Sequence, residues 1–546
     1  MVIAAVIVGV IVLGVLYWWF LTWDAVPKSW CVMFYLTSQT PRSSSSVARP
    51  DAETGLLAGG ATLDDKLDDV VGAIETLPCA TTGGISAKPP WDQVYVVYRA
   101  IWENKDPRAR VVRPESSAPS VKYFPGETNI DVGLSADLTK DVTAFFLWAY
   151  ENCPAQHYAV FFWGHAMGPA GLFQQSEKPL VISPLVALLL RLLKWLTGSN
   201  SWSGSLGVAG VSEALGALVE RRILDSLPRK DQRAEMSSAP PAAGPPSAPA
   251  APVFKVGDFV PKVDVVLFQD CWMSGLETAF ELQDDARYIV ASQSLVPVGF
   301  DANGGLGAVW PYEDLITTFL TQPNFAGPMM DILKNFFDGI GPPPVAPPDF
   351  NRYPATKVLF SLLDCRSTAG SVSSDVKTEF AALVQALYPL GKPGRSKLID
   401  KAAGKAGRLY ELSGASLQVG DQALIDILTM CAYLQTPAQW PATLVVAPAD
   451  QTAITTAAQA LEAKVRGLIT RTFQSPDAGP GDLVYTGVTA LYKTFAVFGD
   501  DPFIQSTYRS SYEGLRFSKE TIITPPPVAG GAQCSWTEYA FDRYPW

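Results

Sequence analysis

Histidine is nearly missing: the 546 residues hold 2, His157 and His165. That scarcity excludes multi-histidine metal sites and gives any imidazole-dependent reaction only two addresses. Paired cysteines are missing as well. The 7 cysteines, at 31, 79, 153, 271, 365, 431 and 534, include no C-x-x-C pair, so neither a zinc site nor a disulfide framework is signalled, and a reducing compartment fits best. No basic stripe interleaved with aromatics occurs, and a net charge of −11 opposes phosphate binding; nucleic acid is excluded as a main partner. Charged residues are 17% of the chain against 48% apolar, the profile of a packed protein. At this length two or three domains are expected, single domains running to roughly 100–200 residues.

One long apolar run is present at the start. Residues 2–23 carry no charge and meet the roughly 20 residues of a bilayer-spanning helix. The run is too long for a signal-peptide core and ends in YWWFLTW, an aromatic interfacial belt, so an uncleaved single-pass anchor (1–23) is expected. Lys28, Arg42 and Arg49 follow the run and nothing basic precedes it, which places the bulk of the protein in the cytoplasm.

Beyond the anchor, WCVMFYLTS (30–38), VYVVYRAI (94–101), YAVFFW (158–163), VDVVLF (263–268) and YIVAS (288–292) are short, nearly continuous apolar runs, the pattern of strands buried on both faces. Between them, helical spacing appears at 63–77, at 137–150 and at 272–284, the last directly after Cys271. Alternating strands and helices predict an α/β fold with an open, mostly parallel sheet covered by helices on both faces. An insertion at about 174–256 holds Ser183, Pro184 and Gly198 framing the apolar LVALLLRLLKWLT, too short to cross a bilayer. That segment is an interfacial helix, a lid or a buried core helix. The insertion also holds the charged run ERRILDSLPRKDQR, read as exposed, and a Pro/Ala-rich tether at 237–252. A second Pro-rich break, 341–349, predicts a boundary between a catalytic domain, 24–340, and an α-rich C-terminal domain, 350–546.

Two predicted core strands end in chemistry. His165 follows 158–163 in WGHAMG, and Cys271 follows 263–268 in QDC. Ligand chemistry in open α/β sheets gathers at the strands' carboxyl ends. A helix starting beside Cys271 would aim its N-terminal dipole at the thiol. If the two strands are neighbours, nucleophile and base adjoin, as acyl transfer by a cysteine enzyme requires. The plain alternative is a buried Cys271 and a loop His165. His157, in PAQHY, reads as a surface residue.

The stretch DVVLFQDCWMSGLETAFELQDDARYIVASQSLVP with VWPYEDLI, and upstream ADLTKDVTAFFLWAYENCPAQHYAVFFWGHAMG, resemble the clostripain-like cysteine peptidases of the caspase-fold clan. WCVMFYLTS resembles that family's first strand, and QALIDILTM and SYEGLRFSKET its weaker C-terminal patterns. The resemblance implies a caspase-like fold, a Cys271–His165 dyad and peptide cleavage through an acyl-enzyme. The backbone amides of Cys271 and Ala166 would form the oxyanion hole. It implies no required cofactor and admits calcium; Asp301 in FDANGG is then a calcium ligand, a residue near the cleft or simply a turn aspartate. No metal site is otherwise expected.

This sequence departs from the family in three places. Ala166 replaces the glycine after the histidine. Gln269 replaces the acid that in the family receives Arg or Lys at the cleavage site, and Asp270 occupies the family's small-residue position, pointing either into the site or into the core; both are taken as substrate-binding. The insertion is the third departure. Arg221, Arg222, Arg229, Lys230 and Arg233 within it offer basic sites for maturation by cleavage. The expected function is a membrane-anchored cysteine endopeptidase acting on a protein or peptide; the alternative is a catalytically silent membrane scaffold or sensor.

Overall fold

The computed structural model describes residues 28–38, 63–81, 90–102, 105–112, 138–164, 166, 206–226, 262–271, 273–293, 296, 309–340, 359–365, 376–391, 394, 397–399, 401–402, 424–474 and 486–491. The expected anchor, the apolar segment 185–197, the tether 237–252, Asp301 and His165 lie outside them. Among the described residues no helix is long and apolar enough to cross a membrane.

The apolar runs fold as their composition dictates. Strands β1 (Lys28–Thr37), β2 (Val94–Ile101), β4 (Ala155–Trp163), β5 (Val263–Phe268) and β6 (Ala286–Ser292) pair in parallel in the order β2-β1-β4-β5-β6. Side chains on both faces of β1, β2 and β5 are buried, which is why these strands read as unbroken apolar runs. The flanks are antiparallel. β3 (Arg108–Val111) adds to β2, and β7 (Leu359–Asp364) and β9 (Ile469–Gln474) extend the sheet beyond β6 to eight strands. The sheet is therefore mixed, parallel only at its centre.

One face carries α1 (Leu63–Glu75), α2 (Tyr312–Thr321) and α3 (Ala326–Ile340), with a run of rings through Trp310, Phe337, Phe360 and Phe473. The other face carries α4 (Leu138–Asn152), α5 (Val208–Ser226) and α6 (Leu276–Leu282), together with α7 (Lys377–Leu387), α8 (Ile427–Leu434) and α9 (Pro448–Leu468). A two-stranded pair, β8 (Leu424–Asp426) with β10 (Thr489–Leu491), forms a second, antiparallel sheet. Within the core, Arg99 and Asp141 form an enclosed ion pair at 2.9 Å, and the Tyr35 hydroxyl donates to the same carboxylate.

Two expectations about organisation change. The Pro-rich break at 341–349 divides the chain but not the sheet, because β7 and β9, both beyond it, pair into the same sheet as β6. The insertion is not wholly an appendage either: α5 buries Val208, Val211, Ala214, Leu215 and Leu218 in the core. Arg222, read as an exposed basic site, instead donates to the Lys262 and Gln156 carbonyls at 3.0 Å each and covers the Tyr158 ring. Arg221 stays half-exposed and paired with Glu151 and Asp225, while Arg229, Lys230 and Arg233 lie outside the described residues.

Candidate active site

β4 and β5 are neighbours, in register from Ala159 opposite Val265 to Phe162 opposite Phe268. The Gln269 amide continues the ladder by donating to the Phe162 carbonyl at 2.8 Å. The two loops read as chemical therefore leave adjacent parallel strands at the same edge, in the middle of the sheet. His165 itself is not described; Ala166, beside it, is buried.

After Gln269 the backbone turns at Cys271, and here the sequence expectation needs correcting. The helix does not begin at residue 272. Ser274 donates its amide to the Ser292 carbonyl at 2.9 Å, receives the Thr489 amide at 2.8 Å, and Gly275 bridges to Thr489 in an extended conformation, φ −121° and ψ 156°. Pairing to a distant strand keeps residues 273–275 out of the helix, so α6 starts at Leu276 and runs for only 7 residues. A macrodipole aimed at the thiol is not what the fold supplies.

It supplies a backbone amide instead. The Val296 N–H donates to Cys271 Sγ at 3.3 Å, and a donor on the sulfur favours its charged form. Among the described cysteines Cys271 is the one that is not buried. Burial pushes the thiols of Cys79 and Cys365 up to about 12, and that of Cys31 well above its ordinary value, which leaves them inert as nucleophiles. Cys271 also packs against the apolar clusters on both faces of the sheet, as a residue at the strand edge between the two layers must.

The two residues before it are enclosed. Gln269 is 4% exposed; its Oε1 accepts from the Tyr312 hydroxyl at 2.9 Å, and its Nε2 has no hydrogen-bond partner among the described residues. Asp270 is fully buried, and neither carboxylate oxygen is hydrogen-bonded among the described residues. Desolvation pushes its carboxyl well above the usual range; the Gly164 amide, which faces it outside hydrogen-bonding geometry, opposes the shift only in part. No group of three or more metal-ligating side chains occurs among the described residues.

Sequence reading did not assign roles to Val296, Tyr312, Gln293 or Asp426. Val296 and Gln293 lie in ASQSLVP and Tyr312 in VWPYEDLI, segments quoted above for their resemblance, so their place was marked though their contacts were not. His157, taken for a surface residue, is half-exposed but stacks on Trp30 with ring centroids 4.9 Å apart, and its Nδ1 lies 3.2 Å from Asp264 Oδ1. It sits at the opposite end of β4 from the site.

Residues 255–332 match the model of the Clostripain family. No curated protein matches the chain. Among solved structures, a secreted cysteine protease from Bacteroides thetaiotaomicron bound to an irreversible peptide inhibitor is 12% identical, with a TM-score of 0.44 over 89% of this chain and 99% of that one. An inactive zymogen protease from Parabacteroides distasonis is 11% identical, with a TM-score of 0.45 over 91% and 99%. The matched segment runs from the approach to β5 through Cys271 to the start of α3, so the part of the chain that builds this strand edge is the part similar to the Clostripain family.

Proposed function

We propose that the protein is a membrane-anchored cysteine endopeptidase in which Cys271 is the nucleophile and His165 its general base. The observation that carries this reading is the thiol of Cys271. It alone among the described cysteines escapes burial, it lies at the carboxyl edge of a central parallel strand, and the Val296 amide points at its sulfur. His165 follows the strand next door. In the reaction His165 takes the thiol proton, the thiolate adds to the substrate carbonyl, and the Cys271 and Ala166 amides receive the oxyanion. Protonation of the leaving amine gives an acyl-enzyme, which water then hydrolyses. The apolar run 2–23 supports tethering to a membrane with the catalytic region on the cytoplasmic side.

Gln269 and Asp270 set the side chain accepted before the cleaved bond. A neutral amide whose oxygen is occupied by Tyr312 supplies a donor but no counter-charge, and burial disfavours the charged form of the acid beside it. It favours a neutral, hydrogen-bond-accepting side chain over Arg or Lys. The test is a peptide library varied at that residue, incubated with the detergent-solubilised protein and with Cys271→Ala and His165→Ala, with products read by mass spectrometry. Cleavage that needs both residues and spares basic positions is expected. Absence of cleavage, in intact and in insertion-nicked protein alike, would put the silent scaffold in its place.

A further inference from the structure

Both loops that meet at the Cys271 sulfur are fastened to one short segment from the other end of the chain. Residues 486–490 touch the loop after β5 through Ser274 and Gly275: Thr489 N donates to Ser274 O at 2.8 Å, and Ser274 Oγ donates to Gly487 O at 2.5 Å. They touch the loop after β6 through Gln293, whose Oε1 accepts from Gly487 N at 2.7 Å. The other end of the same amide donates to Asp426 Oδ2 at 2.8 Å. Asp426 in turn receives the Thr486 amide at 2.6 Å, the Thr486 hydroxyl, and the Thr429 amide at 2.8 Å. Ser274, Gln293, Asp426 and Thr489 are all 0% exposed. Gly487 has φ +109°, a backbone angle that favours glycine, and a Cβ there would lie 2.5 Å from Ser361 Oγ and 2.6 Å from Thr472 Cγ2.

The loop carrying Val296 leaves β6 through Gln293, and the loop carrying Cys271 enters α6 through Ser274, so the relative placement of amide and sulfur depends on what both loops share. Besides the direct bond from the Ser274 amide to the Ser292 carbonyl, what they share is the 486–490 segment. We infer that this segment is a clamp whose Gln293–Asp426 link is a positioning device for the reaction, holding the Val296 amide on the Cys271 sulfur. This rests on the reading of Cys271 as nucleophile. Gln293 touches no reacting atom; it acts through the two loops. The clamp also explains why a peptidase of this kind keeps so distant a segment folded into the site: the Ser274–Thr489 contact spans 215 positions.

The test measures the rate at which a small haloacetamide alkylates Cys271 in the full-length protein as a function of pH, beside kcat and KM on a cleaved peptide. Gln293→Ala is expected to raise the midpoint of the alkylation profile by about one pH unit, so that labelling at a pH below both midpoints slows about tenfold. It should lower kcat more than it raises KM, because the contacts it removes are not with substrate. Ser274→Ala, a milder change that deletes only the hydroxyl bond to Gly487, should move the profile the same way by less. Leu461→Ala, in the core of α9, is the destabilised control and should leave the midpoint where it was. Unchanged midpoints in both clamp variants, in a protein whose wild-type Cys271 is reactive at low pH, would overturn the clamp while leaving the nucleophile intact. A wild-type Cys271 that titrates like an ordinary cysteine would overturn the reading of the site, and the clamp with it.

Discussion

Replacing Gln269 by glutamate tests the specificity reading most directly, because the two side chains have the same shape and length. The introduced carboxylate would keep the 2.9 Å bond from the Tyr312 hydroxyl through one oxygen and put its second oxygen where the unpartnered Nε2 now lies. A hydrogen bond to a charged group in an enclosed site contributes about 1.5–3 kcal/mol, so a substrate with Lys or Arg before the cleaved bond should gain roughly 10- to 100-fold in kcat/KM relative to one with Gln. The gain depends on pH. At 4% exposure the new carboxyl is desolvated and its folded-state pKa rises above the ordinary glutamate value of about 4.3. Below the raised value the group is neutral and the basic preference vanishes; above it the preference appears. Stability runs the other way, since the unfolded chain sheds that proton at lower pH, so Gln269→Glu should lose stability progressively as pH rises from about 4 to the folded pKa. The assay is a ratio of kcat/KM for paired peptides from pH 5 to 9, with thermal unfolding at each pH. A ratio within about twofold of wild type at every pH, in protein that folds and still labels at Cys271, would refute the reading of Gln269 as a substrate-binding residue.

Cys271→Ala should abolish covalent labelling by a peptidyl acyloxymethyl ketone and change stability by no more than about 1 kcal/mol, the range of a half-buried position outside the core; a larger loss, measured by urea unfolding, would make Cys271 a packing residue. Asp270→Asn removes a carboxyl whose folded pKa is raised by burial. Wild type should lose stability as pH climbs above about 3.9 while the variant does not, so the variant gains on wild type between pH 4 and 7; parallel urea midpoints across that range would mean that Asp270 is ionised in the fold. Phe360→Ala deletes a ring with centroids 5.4 Å from Phe337 and 5.6 Å from Phe473 at 0% exposure, and should be destabilising by about 3–5 kcal/mol without shifting peptide preference. A loss under about 1 kcal/mol would contradict the packing of that layer.

What could be read from the sequence was whatever burial imposes locally. Runs such as VDVVLF and VYVVYRAI are apolar at every position because both faces of a central parallel strand are covered, and their order along the chain fixed where His165 and Cys271 would leave the sheet. The onset of α6 was misplaced by four residues, 272 against 276, for a reason that no window around Cys271 contains: Ser274 and Gly275 are drawn into pairing with Thr489. Likewise, the antiparallel strands β7 and β9 join the sheet from beyond a Pro-rich break that reads as a boundary, because proline marks where a chain turns and not where a sheet stops. Arg222 looked like one of a run of solvent-facing charges; its guanidinium is instead spent on two backbone carbonyls, 40 and 66 positions away, and on a tyrosine ring.

The division of the central sheet between β4 and β5 has a consequence for how a cut chain would behave. Residues 227–261 lie between α5 and β5, so a break there yields one fragment ending after α5 and another beginning before β5. Each fragment carries half of a parallel ladder, Ala159–Phe162 on one side and Val265–Phe268 on the other, and α5, which belongs to the first, buries its apolar face in a core shared with the second. Neither piece can keep these surfaces from water alone. Two bands on a denaturing gel should therefore elute as a single species on a sizing column, and separately produced halves should reassemble into a protein with a reactive thiol.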